Sequence, residues 1–360
     1  MKDRLFNPLT KAPVLPNRFR VSTSFIVLIA LAVAGFLVLL THGSVDIPLS
    51  EVVHVLLGGE ASRPVHGIIL FDARLPKAIT AVSAGAALGI GGALMQTLFR
   101  NPLADPYVLG VSSGAILGAA IVILGTSTSG WLSGLSLLHQ LGVTGAAIAG
   151  AAVVLLLTMV FAQKVRNPAT VLIVGVMFGF LSSALVDVLV YYADPDRLVA
   201  LAAFTRGTVR EVTWQDLRFV VGVSVAVTAF TLALAKPMNV MLLGERYAAT
   251  MGINVKLVQI IALGLVAVLA GAITAFCGAI GFVGLAAPHL VRTVLGDSDH
   301  RLVLPGSALV GAILVLFAEA AAGGNGLTKV ALPLNSVTAF IGAPIVLWVL
   351  IKRRRESGDA

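Results

Sequence analysis

Long stretches without a charged side chain, each broken by Pro, Gly or a cluster of Lys and Arg, set the pattern of this chain. A membrane-crossing helix needs roughly 20 apolar residues, and about ten stretches approach that length. They lie at roughly 21–41, 76–99, 106–125, 139–162, 168–193, 217–236, 256–277, 279–295, 302–322 and 334–351. Proline marks several starts: Pro76, Pro106, Pro168 and Pro305 fall where a first helical turn would begin, with Asp105 and Asn167 as N-caps before two of them. Pro288 and Pro344 fall deeper and are expected to kink their helices. The pattern predicts an all-α, polytopic membrane protein.

Composition agrees. The chain is 58% hydrophobic and 12% charged, against about 25% charged in an ordinary soluble domain. Lys2, Arg4, Lys11, Arg18 and Arg20 precede the first stretch, and Lys352, Arg353, Arg354 and Arg355 follow the last. Cationic flanks stay inside, so both tails are expected in the cytoplasm, and ten crossings satisfy the even number this requires. The expected division is a basic tail at 1–20, a ten-helix membrane domain at 21–351 and a second basic tail at 352–360. The first 20 residues are too polar to open a cleavable signal peptide, so the first stretch is read as a retained helix. A net charge of +8 would suggest nucleic acid in a soluble protein; topology accounts for it here, and no nucleic-acid partner is expected.

Candidate chemistry is sparse. The chain has no G-x-x-x-x-G-K-[ST], no H-E-x-x-H and no His/Cys set with zinc spacing, so no nucleotide, metal or other cofactor of its own is expected. Cys277 reads as a small core residue. His289, next to Pro288, is expected to bond a carbonyl freed by the kink, with a proton or ligand site as the alternative. Asp187 and Glu319 fall inside apolar stretches, where a carboxylate is costly. Either they tie helices together near the outer face, or they are the coupling acids of an ion-driven transporter. Gly85 with Gly89, Gly110 with Gly114 and Gly118, and Gly175 with Gly179 repeat at four-residue spacing and predict close helix contacts. Between two stretches, LGERYAATMGINV at 243–255 forms a polar island with Glu245, Arg246, Tyr247 and Thr250. A short, charged, Ala-rich helix on the cytoplasmic face is expected to dock another protein.

Three blocks carry a resemblance: RLPKAITAVSAGAALGIGGALMQTLFRNPLADPYVLGVSSGA from Arg74 to Ala115, GAIGFVGLAAPHLVRTVLGDSDHRLVLPGSALVGA from Gly278 to Ala312, and LPLNSVTAFIGAPIVLWVLIKRR from Leu332 to Arg354. They are similar to the FecCD-type permeases, membrane subunits of type II ATP-binding-cassette importers for iron-siderophores, haem and cobalamin. The resemblance implies a homodimer of ten-helix subunits in the bacterial inner membrane with a path along its twofold axis. It also implies two copies of a cytoplasmic ATPase, which hold ATP and Mg, and a periplasmic substrate-binding protein.

By the same resemblance the polar island is the ATPase-coupling segment, matched at Gly244, Glu245, Ala248 and Gly252, with Arg246 adding a polar contact. The loop NPLADP nominates Asn101 and Leu103 as gate residues, and Asn167 with Pro168 a second constriction. Gly175 and Gly179 lie on the path-lining fifth helix, where small residues would leave room for a bulky chelate. Arg74 and Lys77 match outer basic positions that pair with carboxylates of the binding protein. Two departures stand out. GGNGLTKVALP lacks the usual arginine, for which Lys329 is a substitute. AFTRGTVREVTW stands where the family reads close to FWLMGSL, so Arg206 and Arg210 replace neutral positions near the outer mouth, with Arg197 nearby. They are expected to attract an anionic chelate or acidic residues of the docked protein, the plain alternative being solvated loop arginines. The expected function is import of an iron chelate, haem or an anionic siderophore ahead of cobalamin, with no covalent chemistry in this chain.

Overall fold

The computed structural model describes residues 18–125, 136–164, 168–323 and 332–358. Among them the regular structure is all helical, in the order α1 (Arg18–Thr41), α2 (Leu49–Leu56), α3 (Pro64–Ile68), a π-helical turn (Ile69–Arg74), α4 (Leu75–Leu98), a 3-10 turn (Pro106–Leu109), α5 (Val111–Gly125), α6 (Ser136–Lys164), α7 (Pro168–Tyr191), α8 (Pro195–Thr205), α9 (Trp214–Ala233), α10 (Ala235–Leu242), α11 (Glu245–Thr250), α12 (Val255–Cys277), α13 (Val283–Leu295), α14 (His300–Ala322) and α15 (Leu334–Gly358). Seven helices among the described residues are long and apolar enough to cross a membrane, and α5, α13 and the apolar part of α15 are shorter. The expected stretches fall on these helices.

Two proline placements need correction. Pro76 does not open its helix: the chain is helical from Pro64 onward, and the π-helical turn lies just ahead of it. A proline ring collides with the carbonyl four residues earlier, and one widened turn absorbs that collision. Pro305 lies inside α14, which begins at His300 behind an Asp299 cap whose carboxylate accepts the Arg301 N–H. Asp105 is an N-cap as expected, but the turn it caps is 3-10, and left-handed Gly110 then leads into α5.

α4 is the hub, packed by α14, α13, α12 and α9. Its sequence AGAALGIGGAL sets glycines at 85, 89, 91 and 92 among buried Leu88, Ile90 and Leu94. A Cβ at Gly85, Gly89 or Gly92 would overlap the carbonyl oxygens of Gly311, Ser307 and Gly284 respectively. In lipid, burial of apolar surface gives helices little reason to associate, so the attraction comes from close van der Waals contact, which small residues permit. The same device joins α5 to α6, where Gly114 and Gly118 meet Gly150 and Ala146.

The bundle's two ends are called inner and outer after the expected orientation. α10 and α11 share the inner end with the start of α1, where the Arg20 guanidinium donates to the Val294 carbonyl at the end of α13. Gly92→Val is expected to lower stability by about 1–3 kcal/mol or more through overpacking. Gly222→Ala, where an added Cβ meets nothing within 4 Å, is expected to be neutral. Thermal unfolding of the detergent-purified chain checks both.

Candidate functional site

At the inner end, Gly244 adopts φ +126 and Gly252 φ +81, backbone conformations that favour glycine, and they bracket α11. Asn254 then caps α12 by accepting the Leu257 N–H at 3.1 Å. This turn–helix–turn sets which side chains the segment presents. Ala248 is fully buried within the protein, and Glu245 accepts from the Gln259 amide of α12 at 3.0 Å. Ala248 is therefore corrected from a partner contact to an anchor for α11, and Glu245 is turned toward α12. Arg246 and Gly252 are exposed, and no atom lies within 4 Å of a Cβ built on Gly252. Tyr247 (53%) is exposed too, together with Leu243 (68%) and Met251 (56%), which the polar pattern of the island does not single out. The four-residue spacing of the three was visible in the sequence, but the charged neighbours drew the attention.

The loop between α4 and α5 lies beside this segment. Asn101 folds it into a turn: its side-chain oxygen accepts the Leu103 N–H at 2.9 Å and its carbonyl accepts the Ala104 N–H at 3.0 Å. Leu103 is left exposed. His289 Nε2 donates to the Pro102 carbonyl at 2.9 Å, so this histidine binds a carbonyl of the loop rather than one on its own helix. Asp105 is buried with one carboxylate oxygen against Gly284, in the first turn of α13. Burial pushes its carboxyl up to about 6, against the opposing pull of the Tyr107 and Leu285 N–H groups. Pro168 opens α7, and Asn167 lies outside the described residues.

Gly175 and Gly179 require a correction. Both are buried against Gly110, where a Cβ would lie 2.5 Å from the Gly175 carbonyl oxygen. They seat α7 on α5 and leave no open space. The face of α7 that this protomer leaves exposed carries Ile173, Met177, Phe180 and Leu181, with Asp187 further toward the outer end.

The outer basic residues fare unequally. Arg74 is buried, and its guanidinium donates to the carbonyls of Leu40 (2.7 Å), Thr41 (2.8 Å) and Val45. It caps the end of α1, where a cation also meets the negative end of the helix dipole, and it is not a surface docking residue. Lys77 is mostly buried, 3.6 Å from Glu319, and Arg210 Nε donates to the same carboxylate oxygen at 2.6 Å. Glu319 is thus a structural ion-pair acid, 1% exposed. Arg197 donates to the Ile123 carbonyl near the end of α5 at 3.2 Å. Arg206 is exposed, and Lys329 lies outside the described residues. Buried Cys277 lends its carbonyl to the Thr208 N–H at 2.7 Å. With Trp214 Nε1 donating to the Phe71 carbonyl at 2.9 Å, the segment from Arg206 to Trp214 is pinned across the outer end. Among the described residues no group of three or more His, Cys, Asp or Glu is placed to hold a metal ion.

Removing one member of a buried charge cluster leaves the others unpaired, so Glu319→Gln is expected to cost about 3–5 kcal/mol. Lys77→Met combined with Glu319→Leu should recover the part of that loss owed to buried Lys77, since Arg210 is exposed and can reach water. Thermal midpoints of the purified variants test the pair.

The profile of the FecCD transport family matches residues 27–352. The chain is 33% identical over 326 residues to the hemin transport system permease protein HmuU of Yersinia pestis, covering 89% of this chain and 94% of that protein. It is 36% identical over 290 residues to the vitamin B12 import system permease protein BtuC of Citrobacter koseri, covering 80% of this chain and 84% of that protein. Among solved structures, an inward-facing metal-chelate type ABC transporter superposes with a TM-score of 0.79 at 27% identity, covering 92% of this chain and 99% of that chain.

Proposed function

From the premise that the chain belongs to the FecCD transport family and is a multi-pass permease of ATP-binding-cassette importers, a transport component rather than a catalytic one, we propose that it moves an iron chelate, haem or a ferric siderophore, across the bacterial inner membrane from periplasm to cytoplasm. It works as a homodimer with two copies of a separate ATPase, which bind ATP and Mg, and a periplasmic binding protein that delivers substrate.

The observation that carries the coupling part is the group of exposed side chains Leu243, Tyr247 and Met251 around α11, which Gly244 and Gly252 bracket at the inner end. Apolar side chains at the rim of a polar loop gain little from water or lipid headgroups, and burial against a partner is their favourable outcome. The ATPase is that partner, and Arg246 sits beside this group to orient it. An ion-driven mechanism loses one of its two acids, because Glu319 is held between Lys77 and Arg210.

The substrate reading rests on charge. Lys77 and Arg210 share one carboxylate, which leaves that cluster one positive charge in excess, with Arg206 exposed on the same outer segment, although acids such as Glu211 and Asp216 flank it. That local excess favours contact with an anionic group of a chelate, through orientation more than through affinity. Cobalamin is the second reading, favoured by the vitamin B12 permease among the relatives.

Two measurements test these proposals. Tyr247→Asp with Met251→Asp, or Glu245→Arg with Gly252→Trp, is expected to abolish co-purification with the ATPase; intact assembly with unchanged stimulated hydrolysis would refute the docking face. Titration of the cognate binding protein with haem, cobalamin and a panel of ferric siderophores is expected to show binding of haem or an anionic siderophore. Binding of cobalamin alone would overturn the iron-chelate assignment.

A further inference from the structure

The segment proposed to meet the ATPase and the loop proposed to gate the path are joined by side chains that belong to neither. Asn239 sits on α10, immediately ahead of the docking segment. Its amide nitrogen donates to Asp299 at 2.6 Å, while its oxygen accepts the backbone N–H of His300 at 2.7 Å and faces His300 Nδ1 at 2.8 Å. On the far side of the ring, His300 Nε2 lies 2.8 Å from the Thr97 hydroxyl, in the last turn of α4.

Chemistry fixes the direction of every bond in this row. Asp299 can only accept in its ionised form, and it stays ionised: burial pushes its carboxyl up, but the Arg301 N–H and the Asn239 amide outweigh that effect and leave it below the ordinary aspartate value. The Asn239 NH2 must therefore point at Asp299 and its oxygen at His300. His300 Nδ1 then has to carry a hydrogen, and in the neutral ring Nε2 is left as an acceptor for the Thr97 O–H. Thr97 gives up its alternative, the Ala93 carbonyl 3.0 Å away on its own helix. The result is a one-way chain, Thr97 to His300 to Asn239 to Asp299, across the ends of α4, α14 and α10. His300 is fully buried and Thr97 nearly so, so a broken bond would leave a polar group without water to replace its partner.

A second tie runs in parallel. Arg100 begins the loop in a left-handed conformation, φ +46, and its guanidinium reaches the Met241 carbonyl in the last turn of α10 at 3.5 Å. A Cβ built on Gly244, the first residue of the docking turn, would lie 3.7 Å from the same guanidinium nitrogen. The loop that carries Asn101 and Leu103 is therefore tied through its root to the helix that precedes the docking segment.

Building on the reading of the chain as an ATPase-driven permease, we propose that Asn239, His300 and Thr97, with Arg100, are positioning residues that make α10 and the gate loop move as one body, so that force applied at the docking segment reaches the gate. None of them touches substrate or nucleotide. Their removal uncouples transport from hydrolysis instead of blocking either partner's binding.

The test uses the complete importer in proteoliposomes, with substrate uptake and ATP hydrolysis measured on the same preparation. Asn239→Asp sets a second carboxylate against Asp299 and breaks the chain; it is expected to retain stimulated hydrolysis within about twofold while substrate moved per ATP falls about tenfold. Combining it with Asp299→Asn lets the amide placed at position 299 donate to the carboxylate placed at position 239, with the charge moved one step along. Asp299 Oδ1 accepts both the Asn239 amide and the Arg301 N–H, so this exchange rebuilds the row but gives up the Arg301 cap bond at the start of α14. That double variant is expected to recover at least about half of the coupling. A parallel loss of uptake and hydrolysis in the single variant, an unchanged ratio, or a double variant no better than the single would each overturn the proposal. Thermal midpoints of the complexes identify a folding loss, which the double variant should also reverse if the bonding pattern is right. If the unaltered chain shows no ATP-dependent uptake with any ATPase, it is the importer reading that falls, a result separable from failure of the variants alone.

Discussion

Everything in this protein hangs on how closely the backbone of α4 approaches its neighbours. Ten of the 24 residues of α4 are Ala or Gly, and on the faces that carry the glycines its stability in the bundle comes from contacts between main chains. That approach has a fixed register. Going along α4 from Lys77 through Gly85 and Gly89 to Thr97, the partners on α14 run backward through Glu319, Gly311, Ser307 and His300. Each step forward on one helix is matched, to within a residue, by a step back on the other. The glycine seam is thus bracketed by an ion pair at the outer end and a hydrogen-bonded histidine at the inner end. Sliding α4 along α14 would break both polar contacts and drive carbonyls into each other, so this helix pair is a rigid strut.

A rigid strut constrains what can move. Of the segments at its ends, Arg206 to Trp214 outside is tied to it through Arg210 and Glu319, and α10 inside through Asn239 and His300, both by side-chain bonds. The row from Thr97 to Asp299 is buried at His300 and Thr97, so a displacement of α10 is passed along it, since breaking a bond would leave a polar group without a partner. Small movements applied to α10 therefore have a defined route to the loop, while the membrane-spanning core stays in register.

The apolar stretches, and with them the helical architecture and the family, were legible because each membrane crossing is written in a contiguous run of sequence. The glycine spacings announce close contact but not its direction: the sequence alone allows Gly175 and Gly179 to face the path, and the position of Gly110 shows that they face α5. Charges beside apolar runs were the least legible. Arg74 and Lys77 look exposed when read along the chain, because what buries them is distant in sequence, the carbonyls at the end of α1 and Glu319 on α14. Asn239 and His300 were invisible for the same reason. Neither residue forms a motif alone, and their partnership exists only once α10 and α14 are side by side.

The positions of the charges also bear on where specificity can reside. At the outer end the buried acid Glu319 is shared by Lys77 and Arg210, which fixes the pinned segment and leaves a local excess of one positive charge. The field of such an excess acts over a Debye length, roughly 8–10 Å at physiological salt, and it distinguishes ligands by the sign of their charge and not by their shape. Shape discrimination needs a concave, rigid surface, and the glycine contacts of α4, α5 and α7 fill the interior of a single protomer with backbone. In the proposed homodimer, recognition of a particular chelate then falls to the delivering protein and to the apolar face of α7 around Ile173, Met177 and Phe180, while this chain's own polar chemistry is spent on holding its moving parts in register.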